Sequence, residues 1–591
     1  MEYIDKYAPR NKEKPMSTNL SKQKREDLLR KIEEIRNHIK TKLYDENAGK
    51  LFGYLNELAA QVNGQKYGLV FEEHRESIDD MLEENLPVLT EEKKLFVDGG
   101  GELNFLLEGD NLASLQLLEK THKGKIDVIY IDPPYNTGSN DFAYDDNYVD
   151  KDDNFGHSKW LSFMNNRLRI ARKLLKDNGC ILISINENEV FGLKLLCDEI
   201  FGSDNYLTTF AVKVRHENRI LKGDKDFHEV FEYLLFYRKS EKHKTSKRIF
   251  DNTSNDEYVW TLKELEKPCK IIKMGNKEVS VFKPNQYLLQ KTEPSVKNLK
   301  RISIRGSIKE GNSSGRFFMA NLDQYIGKKN GYVFKVKDMG DDGLGYRYFI
   351  IPENNNRKNG DYLQGVPQSR SDTKEVPYAN LLDFEYAFNN VGYEGNVEFR
   401  NGKKPIDFLQ HCFDMSGLTN GAKNILDFFA GSGSTGHALL DYNVKKGTKH
   451  KFILCTNNEN NICRDITYQR IKNVITKDGL PGSLKYFKVD FVPVAEKEYY
   501  EYADKLLLHV RELVELENAV DFKRDKSVAI VLTEEELAEF TNKIEETDQT
   551  MTKILYLGHD VLLSKEQKSL FKKRGIKVKI IPQYYYPELN G

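Results

Sequence analysis

One stretch of the chain, residues 127–138, constrains the fold more than any other. Its apolar residues run from Val128 to Ile131 and stop at an acid, two prolines, an aromatic residue and an amide. Such a run, bounded by proline and glycine, predicts a buried strand that ends in a rigid turn. Each proline fixes its own φ and restricts the residue before it, so Asp132 and Pro133 are held extended. We expect a carboxylate, a backbone carbonyl and an aromatic ring in one array that can hold a planar ring bearing an exocyclic amine, although an ordinary proline-rich turn would read the same.

The size and charge of the chain set wide limits. Its 591 residues, of which 39% are hydrophobic, are enough for about 3–5 domains of ordinary size. The 90 Lys and Arg residues nearly cancel the 91 Asp and Glu residues, so net charge neither favours nor excludes a nucleic-acid partner. Any basic binding surface must therefore be local.

The cysteines and the apolar runs indicate the compartment. The six cysteines show neither a CxxC pair nor a spacing typical of metal ligands, so the sequence predicts reduced thiols and no metal site. The polar N-terminus does not resemble a signal peptide, and no apolar run approaches the roughly 20 residues that span a bilayer. We expect a cytoplasmic protein without a membrane segment.

Alternation of strand and helix patterns outlines five regions. Strands alternate with helices over 96–240 and again over 396–495, which predicts a parallel α/β sheet. The alternation is lost in between, so 241–395 is predicted to be an insert. Residues 1–95 are predicted to form a helical region, and 496–591 a small α/β domain.

A second motif, residues 424–439, reads as a strand, a glycine-rich turn and the start of a helix. Gly431 and Gly433 would let the backbone approach a ligand closely, and Gly436 would let the helix pack against the strand. Glu459 follows the next strand, about twenty residues further on, where a carboxylate can bind ribose hydroxyls. Alone, this motif would suggest a nicotinamide-dependent oxidoreductase, which leaves the array at Asp132 unexplained.

Basic residues cluster in the insert, although the chain as a whole is near neutral. Five residues of a cluster that also contains isoleucines are predicted to contact phosphates, namely Lys291, Lys297, Lys300, Arg301 and Arg305. The alternative is a solvated surface without a partner.

Together the two motifs resemble those of DNA adenine methyltransferases that use S-adenosylmethionine. The Asp-Pro-Pro-Tyr motif is at 132–135 and the Phe-x-Gly-x-Gly turn at 429–433. The acid motif precedes the glycine turn, with the basic insert between them, which is similar to the permuted β-class arrangement. Residues 66–74, 160–164 and 514–520 narrow the resemblance to the modification subunit of type III restriction–modification systems.

This resemblance implies a Rossmann-like methyltransferase sheet with an inserted target-recognition domain and a C-terminal assembly domain. It implies S-adenosylmethionine as cofactor, double-stranded DNA as substrate, a homodimer, and a helicase–nuclease restriction subunit as a possible partner. The implied catalytic residues are Asp132, Pro133, Pro134 and Tyr135. Asp132 and the Pro133 carbonyl would hold the amine of an adenine flipped out of the duplex, and Tyr135 would stack on its ring.

Further site residues follow from the same resemblance. The predicted cofactor-binding residues are Asp110, Lys404, Asp427, Phe429, Gly431, Gly433 and Glu459. Asp110 and Asp427 could equally be helix-capping or turn residues, and an asparagine beside Glu459 could take the ribose instead. Phe142 or Tyr144 would line the base pocket, with core packing as the alternative.

Two other functions remain open at this level. The first is methyl transfer to another base amine or to RNA, although the acid before the two prolines, where a serine would suit cytosine, argues against cytosine. The second is a subunit that reads DNA without catalysis. The recognition sequence, the methylated strand and the presence of a nuclease subunit are not encoded in any recognisable motif.

Overall fold

The structure is a computed structural model in which part of the chain is described. The described residues are 20–42, 46–63, 71–137, 143–144, 147–148, 156–218, 226–305, 312–354, 357, 359–399, 402–418, 421–494, 499–547 and 550–586. They fall into two units. One combines Met1–Lys244 with Asn380–Gly591, and the other is Thr245–Ala379.

The secondary structure of these residues alternates helices and strands outside the Thr245–Ala379 unit. The helices are α1 (Leu20–Lys42), α2 (Glu46–Asn63), α3 (Ser77–Glu84), α4 (Asn111–His122), α5 (Gly156–Leu174), α6 (Val190–Phe201), α7 (Ser313–Asn321), α8 (Glu385–Asn390), α9 (Ile406–Met415), α10 (Ser434–Lys446), α11 (Gln469–Thr476), α12 (Tyr499–Asn518), α13 (Glu534–Glu546) and α14 (Lys565–Lys573). The strands are β1 (Asn85–Glu91), β2 (Leu103–Glu108), β3 (Ile126–Ile131), β4 (Ala143–Tyr144), β5 (Asn147–Tyr148), β6 (Leu175–Ile185), β7 (Tyr206–Lys213), β8 (Phe231–Arg238), β9 (Arg248–Asp251), β10 (Trp260–Glu264), β11 (Lys270–Met274), β12 (Lys277–Phe282), β13 (Tyr287–Lys291), β14 (Lys300–Ser303), β15 (Val333–Lys337), β16 (Tyr346–Ile350), β17 (Asp361–Gln364), β18 (Thr373–Val376), β19 (Leu381–Asp383), β20 (Asn424–Asp427), β21 (Lys451–Thr456), β22 (Ser483–Pro493), β23 (Val528–Val531), β24 (Ile554–Gly558) and β25 (Lys577–Ile581).

The larger unit is built on a mixed α/β sheet of ten strands, in the order β1-β22-β2-β21-β20-β3-β6-β8-β7-β19. From β22 to β6 every neighbouring pair is parallel. All six residues of β3 are buried, as expected for a strand covered by helices on both faces. Helix α5 packs Trp160, Met164 and Leu168 into the core of this sheet, and burial of each such large apolar side chain contributes about 1.5–3 kcal/mol.

Sheet topology positions the two sequence motifs. Strand β3 precedes β20 by almost 300 residues, yet the two are neighbours, with Val128 opposite Ile425 and Ile129 opposite Leu426. Because they run parallel, their carboxyl ends lie at one edge of the sheet, and each motif begins where its strand ends. Ligands of open α/β sheets bind outside this edge.

The edges of the sheet differ from the predicted regions. The stretch 1–95 is not entirely helical, because β1 pairs antiparallel with β22. The insert is shorter than 241–395, because β19 pairs with β7 in the large sheet and the smaller unit ends at Ala379. Short edge strands of this kind carry little periodicity, so their sequence does not distinguish them from loops.

The smaller unit, Thr245–Ala379, has its own core. A six-stranded sheet in the order β11-β12-β15-β16-β17-β14 pairs antiparallel throughout. Phe317 and Phe318 of α7 pack against Phe349 of β16. Two further strand pairs, β10 with β13 and β9 with β18, complete the described part of this unit.

Residues after 495 are less separate than predicted. Strands β23, β24 and β25 form a small parallel sheet with its own core, which includes residues of α13 and α14. However, Leu506, Val510 and Leu513 of α12 belong to the core of the large sheet, and so do Tyr585 and Tyr586. Among the described helices, none combines the length and apolar character needed to cross a bilayer.

Candidate active site

Asp132 lies at the carboxyl end of β3 within a group of four polar side chains. The Tyr135 hydroxyl lies 2.9 Å from Asp132 Oδ1 and 2.9 Å from Glu232 Oε2. The ammonium group of Lys404 lies 3.0 Å from Asp132 Oδ2, 3.1 Å from Glu232 Oε2 and 2.7 Å from the Tyr135 hydroxyl. One cation and one phenol are thus shared between two carboxylates, and we call these four residues the acid quartet.

Burial and ion pairing shift the pKa values of the quartet in opposite directions. Burial raises the pKa of Asp132, as does Glu232, while Lys404 and the Tyr135 hydroxyl oppose that rise. Burial also acts to raise the pKa of Glu232, but Lys404 and Tyr135 outweigh it, so that pKa lies below its usual range. Burial acts to lower the pKa of Lys404, but the two carboxylates outweigh it and the net shift is upward, so Lys404 stays protonated.

The backbone carbonyls of the two prolines in the motif differ in their hydrogen-bond partners. The Pro134 carbonyl accepts a hydrogen bond of 2.7 Å from Nε1 of the fully buried Trp160. The Pro133 carbonyl has no donor among the residues that the structure describes, so it can accept one from a ligand. Asn136 closes the turn at φ 56° and donates to the buried carboxylate of Glu189 at 2.6 Å.

Trp160→Phe is expected to loosen this turn. The variant leaves the Pro134 carbonyl without its donor and removes part of a buried ring, at a cost of about 1–3 kcal/mol in the free energy of unfolding. Urea denaturation followed by circular dichroism measures it. Trp260→Phe, at the half-exposed tryptophan of the smaller unit, is the matched control and should change stability less; equal losses would contradict the role of the Trp160–Pro134 bond.

The glycine turn follows β20 and is shaped by Asp427. Oδ1 of this buried carboxylate accepts from the Phe429 backbone N–H at 2.9 Å, and Oδ2 accepts from the Thr435 hydroxyl at 2.6 Å. Burial raises the pKa of Asp427 to about 7 against these two hydrogen bonds, and the nearby charge of Asp132 adds to the rise. Asp427 thus ties the start of the turn to the start of α10.

The glycines of the turn differ in what a side chain would meet at each position. Gly431 and Gly433 both have positive φ, 46° and 75°. A Cβ atom at Gly431 would meet nothing closer than the Phe429 carbonyl at 3.8 Å, so the turn leaves open space there. A Cβ atom at Gly436 would lie 2.9 Å from Ile471 and 3.0 Å from Leu454, so this glycine permits close packing of α10.

A buried arginine, Arg470, binds two serines of the glycine turn. The Arg470 guanidinium donates to Ser434 Oγ at 2.7 Å and to Ser432 Oγ at 3.3 Å, and pairs with Glu394 at 3.2 Å. Burial lowers the pKa of Arg470 to about 10, partly offset by Glu394. The Glu394 carboxylate also accepts from the Ile406 backbone N–H at the start of α9, two residues after Lys404. Arg470 and Glu394 therefore connect the glycine turn to the segment that carries Lys404.

The other predicted cofactor residues lie in different settings. Asp110 follows β2 and caps α4, with Oδ1 accepting from the Leu112 N–H at 2.6 Å. Phe429 is half-buried, with its ring 5.7 Å from that of Phe163. Glu459 follows β21 and is exposed. Because β2, β21, β20 and β3 are consecutive in the sheet, these positions share one edge with Asp132.

The predicted base-pocket and DNA-contacting residues are only partly described. Phe142 lies outside the described residues, and Tyr144 belongs to β4, for which only the backbone is described. In the smaller unit Lys291, Lys297 and Arg305 are exposed. Lys300 pairs with Glu257, and Arg301 pairs with Asp361 at 2.6 Å, so those two cations are already partly neutralised.

Sequence reasoning missed four residues of the site, namely Trp160, Glu189, Glu232 and Arg470. A weak signal existed for Glu232, which interrupts the otherwise apolar start of β8. Lys404, which was predicted to bind the cofactor, is ion-paired with Asp132 in the structure. Within the described residues, the ligand atoms of Asp504, His559 and Asp560 also lie within 4.8 Å of one another, but two of these residues are exposed carboxylates that need no ion.

Comparison with known proteins gives the class that this fold and site define. A family model for DNA methylases, N6_N4_Mtase, matches residues 126–469, from the start of β3 to the first residue of α11. The chain therefore belongs to the DNA methylase family.

Individual relatives refine this placement. The chain is similar to the type III restriction–modification enzyme StyLTI Mod subunit of Salmonella typhimurium (30% identity over 63% of this chain and 55% of the relative). It is also similar to the type II methyltransferase M.KpnI of Klebsiella pneumoniae (30% identity over 65% of this chain and 90% of the relative). The structure of PvuII DNA methyltransferase (cytosine-N4-specific) is a weaker likeness, with 11% identity and a TM-score of 0.30 over 66% of this chain and 97% of that one. The chain spans about half the length of the first type III Mod subunits that it matches.

Proposed function

We propose that the protein transfers a methyl group from S-adenosylmethionine to the N6 amine of an adenine flipped out of duplex DNA. The observation that carries the proposal is the adjacency of β3 and β20, whose carboxyl ends bear Asp132 and the glycine turn. A donor bound at the turn and an amine held by Asp132 would meet at one sheet edge. The chain order of the two motifs corresponds to a permuted methyltransferase sheet.

The residues around the glycine turn fit S-adenosylmethionine. The open space at Gly431 would accept the ligand beside the backbone, and the half-buried Phe429 ring offers an apolar contact. Asp427 acts by shaping the turn, since both of its oxygens are engaged within it. When bound, S-adenosylmethionine supplies an activated methyl group on sulfur.

The chain's own groups hold and orient the amine. The lone pair of an adenine amine is delocalised into the ring, which makes the nitrogen a poor nucleophile. Asp132 and the Pro133 carbonyl would each accept one amine N–H, and so favour the tetrahedral nitrogen as it attacks. Their fixed positions would align nitrogen, methyl carbon and sulfur, which removes much of the entropic barrier. Tyr135 would flank the base, and its hydroxyl is held by the other three residues of the acid quartet.

The similarity to type III Mod subunits supports a narrower biological role. We propose that the chain is the modification subunit of a type III restriction–modification system, acts as a homodimer, and can associate with a helicase–nuclease restriction subunit. The exposed Lys291, Lys297 and Arg305 would contact DNA phosphates from the Thr245–Ala379 unit.

Mass spectrometry of methylated nucleosides tests the function. The full chain is incubated with duplex DNA and S-adenosylmethionine that carries a labelled methyl group, and the DNA is digested to nucleosides. Labelled N6-methyl-2′-deoxyadenosine is expected. Labelled N4-methyl-2′-deoxycytidine would show that the target base is cytosine. A DNA fraction without label would overturn the proposal.

A further inference from the structure

We propose that Glu232 is a positioning residue for methyl transfer: it shares Tyr135 and Lys404 with Asp132 and thereby controls how readily Asp132 accepts the target amine. This inference rests on the proposed function, because it concerns the carboxylate that would hold the amine. Glu232 acts through its two neighbours and is not expected to touch the base.

The first argument is geometric. Tyr135 lies at the same distance from both carboxylates, 2.9 Å, and Lys404 at nearly the same distance, 3.0 Å and 3.1 Å. Both oxygens of Asp132 therefore already have a partner, although a carboxylate offers about four lone-pair directions in all. An amine that approaches Asp132 competes with Tyr135 and Lys404. Since Glu232 already contacts both, they can shift toward it without losing a carboxylate partner.

The second argument is the charge around Asp132. The groups that face it are Lys404, Glu232 and Tyr135, together with the buried Asp427 at the end of the neighbouring strand and Tyr130 on β3 itself. Arg215, which follows the end of β7, lies 4.0 Å from Glu232 of β8. With both acids ionised, the quartet carries one net negative charge. Lys404 then interacts with two anions, Asp132 and Glu232, and neutralises neither of them completely.

The sign of the effect on pH dependence follows from these charges. Asp132 accepts the amine in its ionised form, so the rate should fall as pH falls through its pKa. Glu232→Gln removes the anion that raises this pKa and leaves Lys404 wholly to Asp132, so the acid limb of the rate profile should move to lower pH. Lys404→Met removes the cation that lowers the pKa, so the limb should move to higher pH.

The test is the pH profile of the single-turnover rate of methyl transfer to duplex DNA with saturating S-adenosylmethionine. Each single variant should shift the acid limb by about one pH unit, in opposite directions. The double variant, which restores one net negative charge, should lie close to the wild-type limb. Glu232→Gln should also lower the plateau rate about tenfold, because a neutral amide oxygen, which is a weaker acceptor, replaces the second carboxylate that binds Lys404 and Tyr135. Glu119→Gln, which alters an ion-paired glutamate on α4, should change neither quantity.

The outcomes separate this inference from the proposed function. If the wild-type chain methylates no DNA, the proposed function fails. If it methylates DNA and Glu232→Gln lowers the plateau without moving the limb, Glu232 has only a structural role and the inference fails. If Glu232→Gln is inactive, Glu232→Asp, which keeps the charge, should recover at least a tenth of the wild-type rate; no recovery would overturn the inference.

Discussion

Asp132→Ala is expected to lower the rate of methyl transfer to DNA by about 10³-fold or more, while S-adenosylmethionine still binds. The substitution removes one of the two acceptors that would hold the amine. It should leave the glycine turn intact, because the hydrogen bonds that shape the turn join Asp427 to Phe429 and Thr435. Lys404 keeps Glu232 as a partner at 3.1 Å, so no buried cation is left unpaired. Methyl transfer is measured by incorporation of labelled methyl groups, and binding by calorimetry.

Two further variants sharpen this experiment. Asp132→Asn keeps the shape but presents an amide that is neutral and a weaker acceptor, so it should lose nearly as much activity as alanine. Asp177→Ala changes an exposed aspartate whose partner is the equally exposed Lys242, and should leave the rate unchanged. A rate for Asp132→Ala within tenfold of wild type would refute the assignment of Asp132.

Arg470→Met is expected to lower the free energy of unfolding of the larger unit by about 3–5 kcal/mol. The guanidinium is fully buried and binds Ser432, Ser434 and Glu394. Its removal takes away the ion-pair partner of the partly buried Glu394 carboxylate and the guanidinium donor of the two serines. S-adenosylmethionine should also bind more weakly, because Ser432 and Ser434 flank Gly433 in the turn.

Tryptophan fluorescence can isolate this effect. The chain has two tryptophans, Trp160 in the larger unit and Trp260 in the smaller one. In a Trp260→Phe background, urea unfolding followed by fluorescence reports on the large sheet alone. Adding Glu394→Gln to Arg470→Met should recover part of the loss, because the amide is neutral and its oxygen can still accept from the Ile406 N–H.

An exposed arginine provides the control for Arg470. Arg524 pairs with Asp98 at the surface, and both side chains are about half exposed. Arg524→Met should leave the urea midpoint nearly unchanged, because solvent screens such pairs. If Arg470→Met were equally mild, the buried cluster would not be what holds the glycine turn.

The parts of the site that sequence reasoning reached are those fixed by short-range chemistry. The prolines after Asp132 define a rigid turn wherever the strand lies, and Gly431 and Gly433 define a left-handed turn before a helix. Asp110 could be either a ligand or a cap from its sequence. Only the structure shows its Oδ1 accepting from the start of α4. The same holds for Asp427, whose neighbours in the fold include Thr435, eight residues away.

The amino-acid sequence by itself determined the two motifs, the alternation of strands and helices, and hence the class of sheet. The tertiary structure alone decided which distant side chains come together. Asp132 pairs with Lys404, 272 positions away, and shares it with Glu232, 100 positions away. Local patterns depend on backbone geometry over a few residues, whereas ion pairs in a buried site depend on where whole strands and helices meet. The local sequence around a Glu at the start of a strand, or a Lys before a helix, does not indicate which distant residue it will pair with.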